Sequence, residues 1–179
     1  PYNIYNTLSA YTALKTAGAG YRTFKTMIEA FDYGNNRESI FHIKGAKVQL
    51  HLAKNPIGFQ QKVSLVLKDP DPKDIIIQIN DTSQDGTDIS WLWDVDFQYL
   101  GDSNAASITT AGTRKYDMGL RLKYEDIPCS STTDMRSAIL DLVKNGTKNL
   151  YVIVNYSGLY RTNHLLTELE KGTEGGQSR

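Results

Sequence analysis

The sequence predicts an α/β protein built on a doubly wound, mostly parallel sheet, and three features carry that expectation. Short β-branched runs alternate with longer segments of helical periodicity from the middle of the chain onward. The run Ile75-Ile76-Ile77-Gln78-Ile79 is too short and too branched for a helix, and its apolar residues fall at successive positions, as a strand covered on both faces requires. Polar loops with glycines follow the strand candidates, and open α/β sheets gather their ligands and reacting groups at the carboxyl ends of strands.

Leu8, Tyr11 and Leu14 recur at helical spacing within residues 5–17, with Asn3 or Asn6 available as a cap and glycines 18 and 20 as a stop. A second helix is expected over 21–31, ending near Gly34, so that residues 1–36 form a helical connector. The chain opens at Pro1 with no initiator methionine and is read as a fragment of a longer protein. Residues 39–43 and 48–52 alternate around Lys44-Gly45, the pattern of a tight hairpin. Pro56 suits the first turn of a helix reaching about Lys68, and Asp69-Pro70-Asp71-Pro72 is a rigid break before the isoleucine strand. Strands at 107–110 and 150–154 alternate with helices at 115–125, 133–144 and 157–171. The main domain is assigned to 37–171, and 172–179 are expected to be a flexible tail.

The 20 basic and 20 acidic residues balance, so no overall field draws the chain to nucleic acid or to an anionic membrane. Its length suffices to bury roughly two-thirds of the unfolded surface. No apolar run approaches the ~20 residues that span a bilayer, and no transmembrane segment is assigned. A single cysteine, Cys129, excludes an internal disulfide framework and a cysteine-based zinc site within these residues, and a reducing cytoplasm is the simplest setting. The sequons at Asn80, Asn145 and Asn155 are then chance matches. His42, His51 and His164 lack metal-ligand spacing, so no metal is assigned. Cys129 follows Pro128 with no base nearby in sequence, and no P-loop, GxGxxG or GxSxG pattern is present.

The candidate site is the loop Asn80-Asp81-Thr82-Ser83-Gln84-Asp85-Gly86-Thr87-Asp88 after the isoleucine strand. It reads either as a solvated turn with Asx caps or as a functional loop at a strand end. Both tryptophans, Trp91 and Trp93, lie just beyond it, followed by Asp94. Tryptophan ordinarily closes a core, and a partner interface is the functional alternative. Lys54-Asn55-Pro56 places a cation ahead of a helix N-terminus, where charge and helix dipole together suit a phosphate or acyl phosphate. Thr110-Ala111-Gly112-Thr113-Arg114 repeats that arrangement, and either loop alone is also compatible with an ordinary strand-to-helix turn.

Taken together, Tyr2-Asn3-Ile4-Tyr5-Asn6, Lys54-Asn55-Pro56-Ile57-Gly58-Phe59, the segment from Asp85-Gly86-Thr87-Asp88 through Trp91-Leu92-Trp93-Asp94-Val95-Asp96-Phe97, and Gly112-Thr113-Arg114-Lys115-Tyr116-Asp117-Met118 resemble the MurT family of Mur-ligase-like subunits over nearly the whole chain. The resemblance implies a Rossmann-like Mur ligase C-terminal domain. It also implies that the full protein uses ATP and Mg²⁺ to activate the stem-peptide D-glutamate of lipid II, at the inner face of a bacterial membrane. Ammonia then comes from a GatD-type glutaminase. The family's P-loop and zinc ribbon belong to a central domain outside this sequence, so the fragment alone is expected to be silent. By the same carry-over, an aspartate of the 81–86 loop completes the glutaminase Cys-His pair, with Asp85 first choice and Asp81 second. Thr82-Ser83-Gln84 stands here in place of the more usual Asn-Ala-Ala. Asn3 and Asn6 match hinge asparagines that face the adenine, and Lys54 with Asn55 matches a nucleotide-facing loop, with Lys54 where many Mur ligases carry His. Arg114 joins these as a cofactor-facing residue, and Trp91, Trp93 and Asp94 are expected at the partner interface. The competing readings are a self-contained Mur or folylpolyglutamate-like amide ligase without a glutaminase, and a docking platform whose chief task is to supply Asp85.

Overall fold

In the computed structural model, which describes residues 4–30 and 38–174, the chain divides into two units, Pro1–Asn36 and Arg37–Arg179. The first contains α1 (Ile4–Thr16) and α2 (Tyr21–Ala30). Gly18 stops α1 because its φ of 86° is open to a residue without Cβ, and the Gly18 and Ala19 N–H groups close back on the carbonyls of Lys15 and Leu14 at 3.0 and 2.9 Å. The Tyr11 ring then meets Tyr21 and Phe24 at 6.1 and 5.1 Å between centroids. No residue of either helix is buried. Asn6 lies inside the first turn of α1 rather than capping it, and Asn3 lies outside the described residues.

The second unit starts with a hairpin, β1 (Glu38–Ile43) and β2 (Ala46–Leu52), paired antiparallel. Lys44 and Gly45 both adopt positive φ, 48° and 83°, which gives the mirror-image turn whose twist matches a two-residue hairpin. There follow α3 (Pro56–Lys68), β3 (Lys73–Gln78), two 3-10 helices at Ser90–Asp94 and Phe97–Asp102, β4 (Ala105–Ala111) and α4 (Lys115–Lys123). The chain continues through β5 (Ser130–Ser131), α5 (Met135–Lys144), β6 (Asn149–Val154) and α6 (Tyr156–Glu174). The strands form one sheet in the order β1-β2-β6-β3-β4-β5, parallel except for β1.

Two departures from the sequence reading have simple causes. β5 is two exposed serines, which carry no apolar alternation to read. The final helix continues through Gly172 to Glu174, into the stretch expected to be a tail. Residues 175–179 lie outside the described residues.

Alternation along the central strands divides the core into two layers. Ile75 and Ile77 of β3, with Tyr151 and Ile153 of β6, face Phe59, Val63 and Val66 of α3 and Met118 and Leu122 of α4. Ile76, with Leu150, Val152 and Val154, faces Ile139 and Val143 of α5 and Leu166 and Leu169 of α6. All three β3 isoleucines are fully buried, each worth roughly 2 kcal/mol of transfer free energy.

Two buried cations tie the connections to this frame. The Lys73 ammonium donates to the carbonyls of Val66, Asp69 and Ser103, joining the end of α3 to the segment before β4. The Arg121 guanidinium donates to Leu92 O and Val95 O at 3.2 and 2.8 Å and pairs with Glu125, fastening the tryptophan segment onto α4. Burying these polar heads is offset by hydrogen bonds to carbonyl and carboxylate oxygens, and the Arg121 guanidinium also lies over the Trp93 and Phe97 rings.

Candidate functional site at the carboxyl edge of the sheet

Five parallel strands end along one edge of the sheet, and backbone bonds carry the sheet order of four of them into their loops. Ala53 N–H donates to Val154 O at 2.9 Å, Asn155 N–H to Gln78 O at 3.3 Å, and Ile79 N–H to Ala111 O at 3.0 Å. The loops at 53–55, 155–157, 79–85 and 112–114 therefore lie in that order, following β2, β6, β3 and β4.

The aspartate loop and the 112–114 loop are joined directly. Asp81 Oδ1 accepts from Thr113 Oγ1 at 2.7 Å and its Oδ2 from Arg114 Nε at 2.8 Å, while Asp81 N–H donates to Thr113 Oγ1 at 3.2 Å. Arg114 Nη1 also lies 3.6 Å from Asp117 Oδ2. The Thr113 hydroxyl, and after it the Arg114 charge, hold the Asp81 carboxyl below the usual carboxylate range. Gly112 permits this approach: at φ 90° a Cβ would come to 2.3 Å from Ile79 O, so no side chain fits.

Asp85 is anchored on the other side, to the start of α6. Its Oδ1 accepts Ser157 N–H at 2.8 Å and its Oδ2 the Thr82 hydroxyl at 2.7 Å. The carboxylate thus satisfies one of the open donors of a helix N-terminus, where a negative charge is favoured. Asn80 sits at the centre. It receives Thr113 N–H on Oδ1 at 3.1 Å and donates from Nδ2 to Ser157 Oγ at 3.0 Å.

The remaining expected residues separate. Lys54 is exposed ahead of α3, two strands from the aspartate loop along the same edge. Asn55 is the N-cap of α3, its Oδ1 accepting Gly58 N–H at 2.8 Å, so this oxygen is engaged in holding the helix start. Asn6 belongs to the other unit. The tryptophans divide between their two readings. Trp91 packs on the core, 5.8 Å from the Phe59 ring, whereas Trp93 is 52% exposed, edge-on to Tyr124 at 5.2 Å and 5.3 Å from the Arg121 guanidinium. Asp94 is exposed beside it. Asn80 and Thr113 entered the sequence reading only as members of the candidate loops, with no role of their own, and Asn155 and Ser157 escaped it as site residues. The signal for the last two was their place directly after the strand at 149–154, masked by a sequon that reads as chance.

Among the described residues, no three His, Cys, Asp or Glu side chains cluster so as to hold a metal ion. His51 stacks on Tyr151 at 5.7 Å, and His164 lies 3.6 Å from Glu168. Partial burial pushes the Cys129 thiol up, the wrong direction for a nucleophile. A cavity of about 840 Å³ lies at the opposite edge, around the starts of β3 and β6, and Asp69 and Tyr151 line it. Burial and the bond from its hydroxyl to Asp69 push Tyr151 up to about 12. Burial alone would raise Asp69, but the bonds from Tyr151, Asp71 N–H and Asn149 together with the Lys73 charge leave it lowered. This network holds strand starts together, away from the loops that carry the aspartates.

Comparison with known proteins matches residues 52–159 to the MurT ligase C-terminal family model. The lipid II isoglutaminyl synthase (glutamine-hydrolyzing) subunit MurT of Staphylococcus aureus strain COL is 31% identical over 99% of this chain and 40% of its own length. The subunit of the same name from Streptococcus pneumoniae strain ATCC BAA-255 / R6 is 27% identical over 92% of this chain and 38% of its own. The chain thus spans about two-fifths of the length of these relatives. Among solved structures, the UDP-N-acetylmuramate-alanine ligase MurC of Thermotoga maritima superposes with a TM-score of 0.62 over 96% of this chain and 38% of that one. At 12% identity this likeness establishes the shared fold alone.

Proposed function

The chain belongs to the MurT ligase C-terminal family, and on that premise we propose that it is the C-terminal part of an ATP-dependent C–N ligase subunit that amidates the D-glutamate of lipid II to D-isoglutamine. In this reading the subunit works on the cytoplasmic side of a bacterial membrane and receives ammonia from a GatD-type glutaminase docked on this domain. The fragment alone is catalytically silent, because it carries no P-loop.

The observation that carries the proposal is the aspartate loop, held at the sheet edge with its two carboxylates in different company. The third member of a glutaminase triad must accept a hydrogen bond from a histidine and stabilise the cation that forms there. Asp81 is already paired with a guanidinium, which reduces what its charge can offer a second cation. Asp85 is held by neutral donors, Ser157 N–H and the Thr82 hydroxyl, and each carboxylate oxygen keeps a further acceptor site. Asp85 is therefore the residue assigned to the glutaminase, and Asp81 the residue that fixes its loop. The exposed Trp93 and Asp94 form the partner contact in this reading, with Trp91 supporting them from the core side.

ATP with Mg²⁺ supplies phosphoryl activation of the substrate carboxylate in the full-length protein. The residues here fit a supporting part in that. Lys54 presents a cation just ahead of α3, the charge a phosphate requires, and Arg114 stands likewise ahead of α4, its guanidinium paired with Asp81 and close to Asp117. Asn55 serves by capping α3 and so setting the Lys54 loop, and Asn3 and Asn6 are assigned to the hinge.

The test is Asp85→Asn in the full-length subunit with its glutaminase. Glutamine hydrolysis should fall by about 10³-fold or more, as when a triad aspartate is neutralised, while amidation from free ammonia persists. Unchanged hydrolysis would return the domain to the self-contained ligase reading.

A further inference from the structure

Asn155 is 2% exposed, among the most buried polar residues of the domain, and it stands one residue beyond β6. Its side chain grips the backbone of a single residue at both its N–H and its C=O. Oδ1 accepts Asn80 N–H at 3.1 Å and Nδ2 donates to Asn80 O at 2.7 Å. Its own N–H continues the sheet by donating to Gln78 O at 3.3 Å. A buried amide that satisfies a donor and an acceptor of one residue fixes that residue's position and peptide orientation together, and neither a carboxylate nor an aliphatic side chain can do both.

The residue so held is the one before Asp81, and the turn that holds it also binds the far end of the loop. Ser157, two residues beyond Asn155, takes Asn80 Nδ2 on its hydroxyl and gives its N–H to Asp85. The 80–85 loop is therefore stapled at both ends to residues 155–157, and Asn155 is the buried member of that staple.

We propose that Asn155 is a positioning residue for glutamine hydrolysis, acting through the 80–85 loop to set where Asp85 is presented to the partner's histidine. The proposal rests on the function proposed above. It requires that loosening the loop misplace a group that must meet its partner within a few tenths of an ångström, and an error near 1 Å at such a group costs on the order of 10²-fold.

The test uses the full-length subunit with its glutaminase and compares Asn155→Asp, Asn155→Ala and Asp85→Asn. Asn155→Asp is close to isosteric but turns the Nδ2 donor into an acceptor facing Asn80 O. Expected is a fall in kcat for glutamine hydrolysis of about ten- to a hundredfold at unchanged glutamine KM. Amidation from free ammonia should stay within about twofold, and Asn155→Ala should follow the same split. The ratio of Asn155→Asp to parent hydrolysis should rise as pH is lowered, because the protonated carboxyl of the variant can donate again while the loss of active triad histidine is common to both proteins. If Asp85→Asn lowers hydrolysis but both Asn155 variants leave it intact, or lower the ammonia- and glutamine-driven rates in step with the melting temperature, Asn155 is a structural residue only. If Asp85→Asn itself leaves hydrolysis unchanged, the underlying reading fails and the positioning role goes with it.

Discussion

The Asp81 carboxylate lies between the Thr113 hydroxyl and the Arg114 guanidinium, and this environment dictates how the site responds to acid. Its folded-state pKa is depressed, so the stabilisation is fully present above the ordinary carboxylate value and is lost as pH falls through the lower, folded-state value. Asp81→Asn should therefore lower stability at neutral pH and remove part of the loss seen on acidification, checked as urea midpoints from neutral pH down to pH 3. A parent and variant with parallel acid limbs would show that the pair contributes nothing. The loop itself was legible in the sequence, since acids and hydroxyls after an isoleucine strand mark a carboxyl edge. Its partners were not. Thr113 and Arg114 are 32 and 33 residues away, and only the parallel pairing of β3 with β4 brings them alongside.

At the scale of elements, local chemistry set most boundaries. Pro56 in the first turn, Asn55 before it and the break after Lys68 define α3 at the residues the pattern indicates. Asn55→Ala should cost about 1 kcal/mol by exposing the first-turn donors, while Asn55→Asp or Asn55→Ser should retain most of the stability, both read from denaturant midpoints. Equal loss in all three would place the role of Asn55 outside capping. The tryptophan segment shows where periodicity ends. Its 3-10 turns follow no strand or helix repeat, and Trp91 differs from Trp93 only because Arg121, Phe59 and Tyr124 lie where the fold puts them.

At the scale of the molecule, Lys54 and the aspartate loop lie two strands apart on one edge, which separates the tasks proposed for them. Lys54→Ala in the full-length subunit should lower ATP-dependent amidation by about tenfold while leaving glutaminase docking unchanged in calorimetry, because losing one cation facing a phosphate removes charge stabilisation without altering a remote contact. Unchanged turnover would remove Lys54 from the nucleotide-facing surface. By itself the sequence determined the parallel α/β class, the hairpin at Lys44-Gly45 and the loop where acids gather, because periodicity, turn chemistry and strand-end position are properties of short segments. Only the tertiary structure decided that Asp81 pairs with Arg114, that Asp85 caps α6 and that Asn155 grips Asn80. Those are contacts between loops that follow different strands, and it is the sheet order, with β6 inserted between β2 and β3, that makes them neighbours.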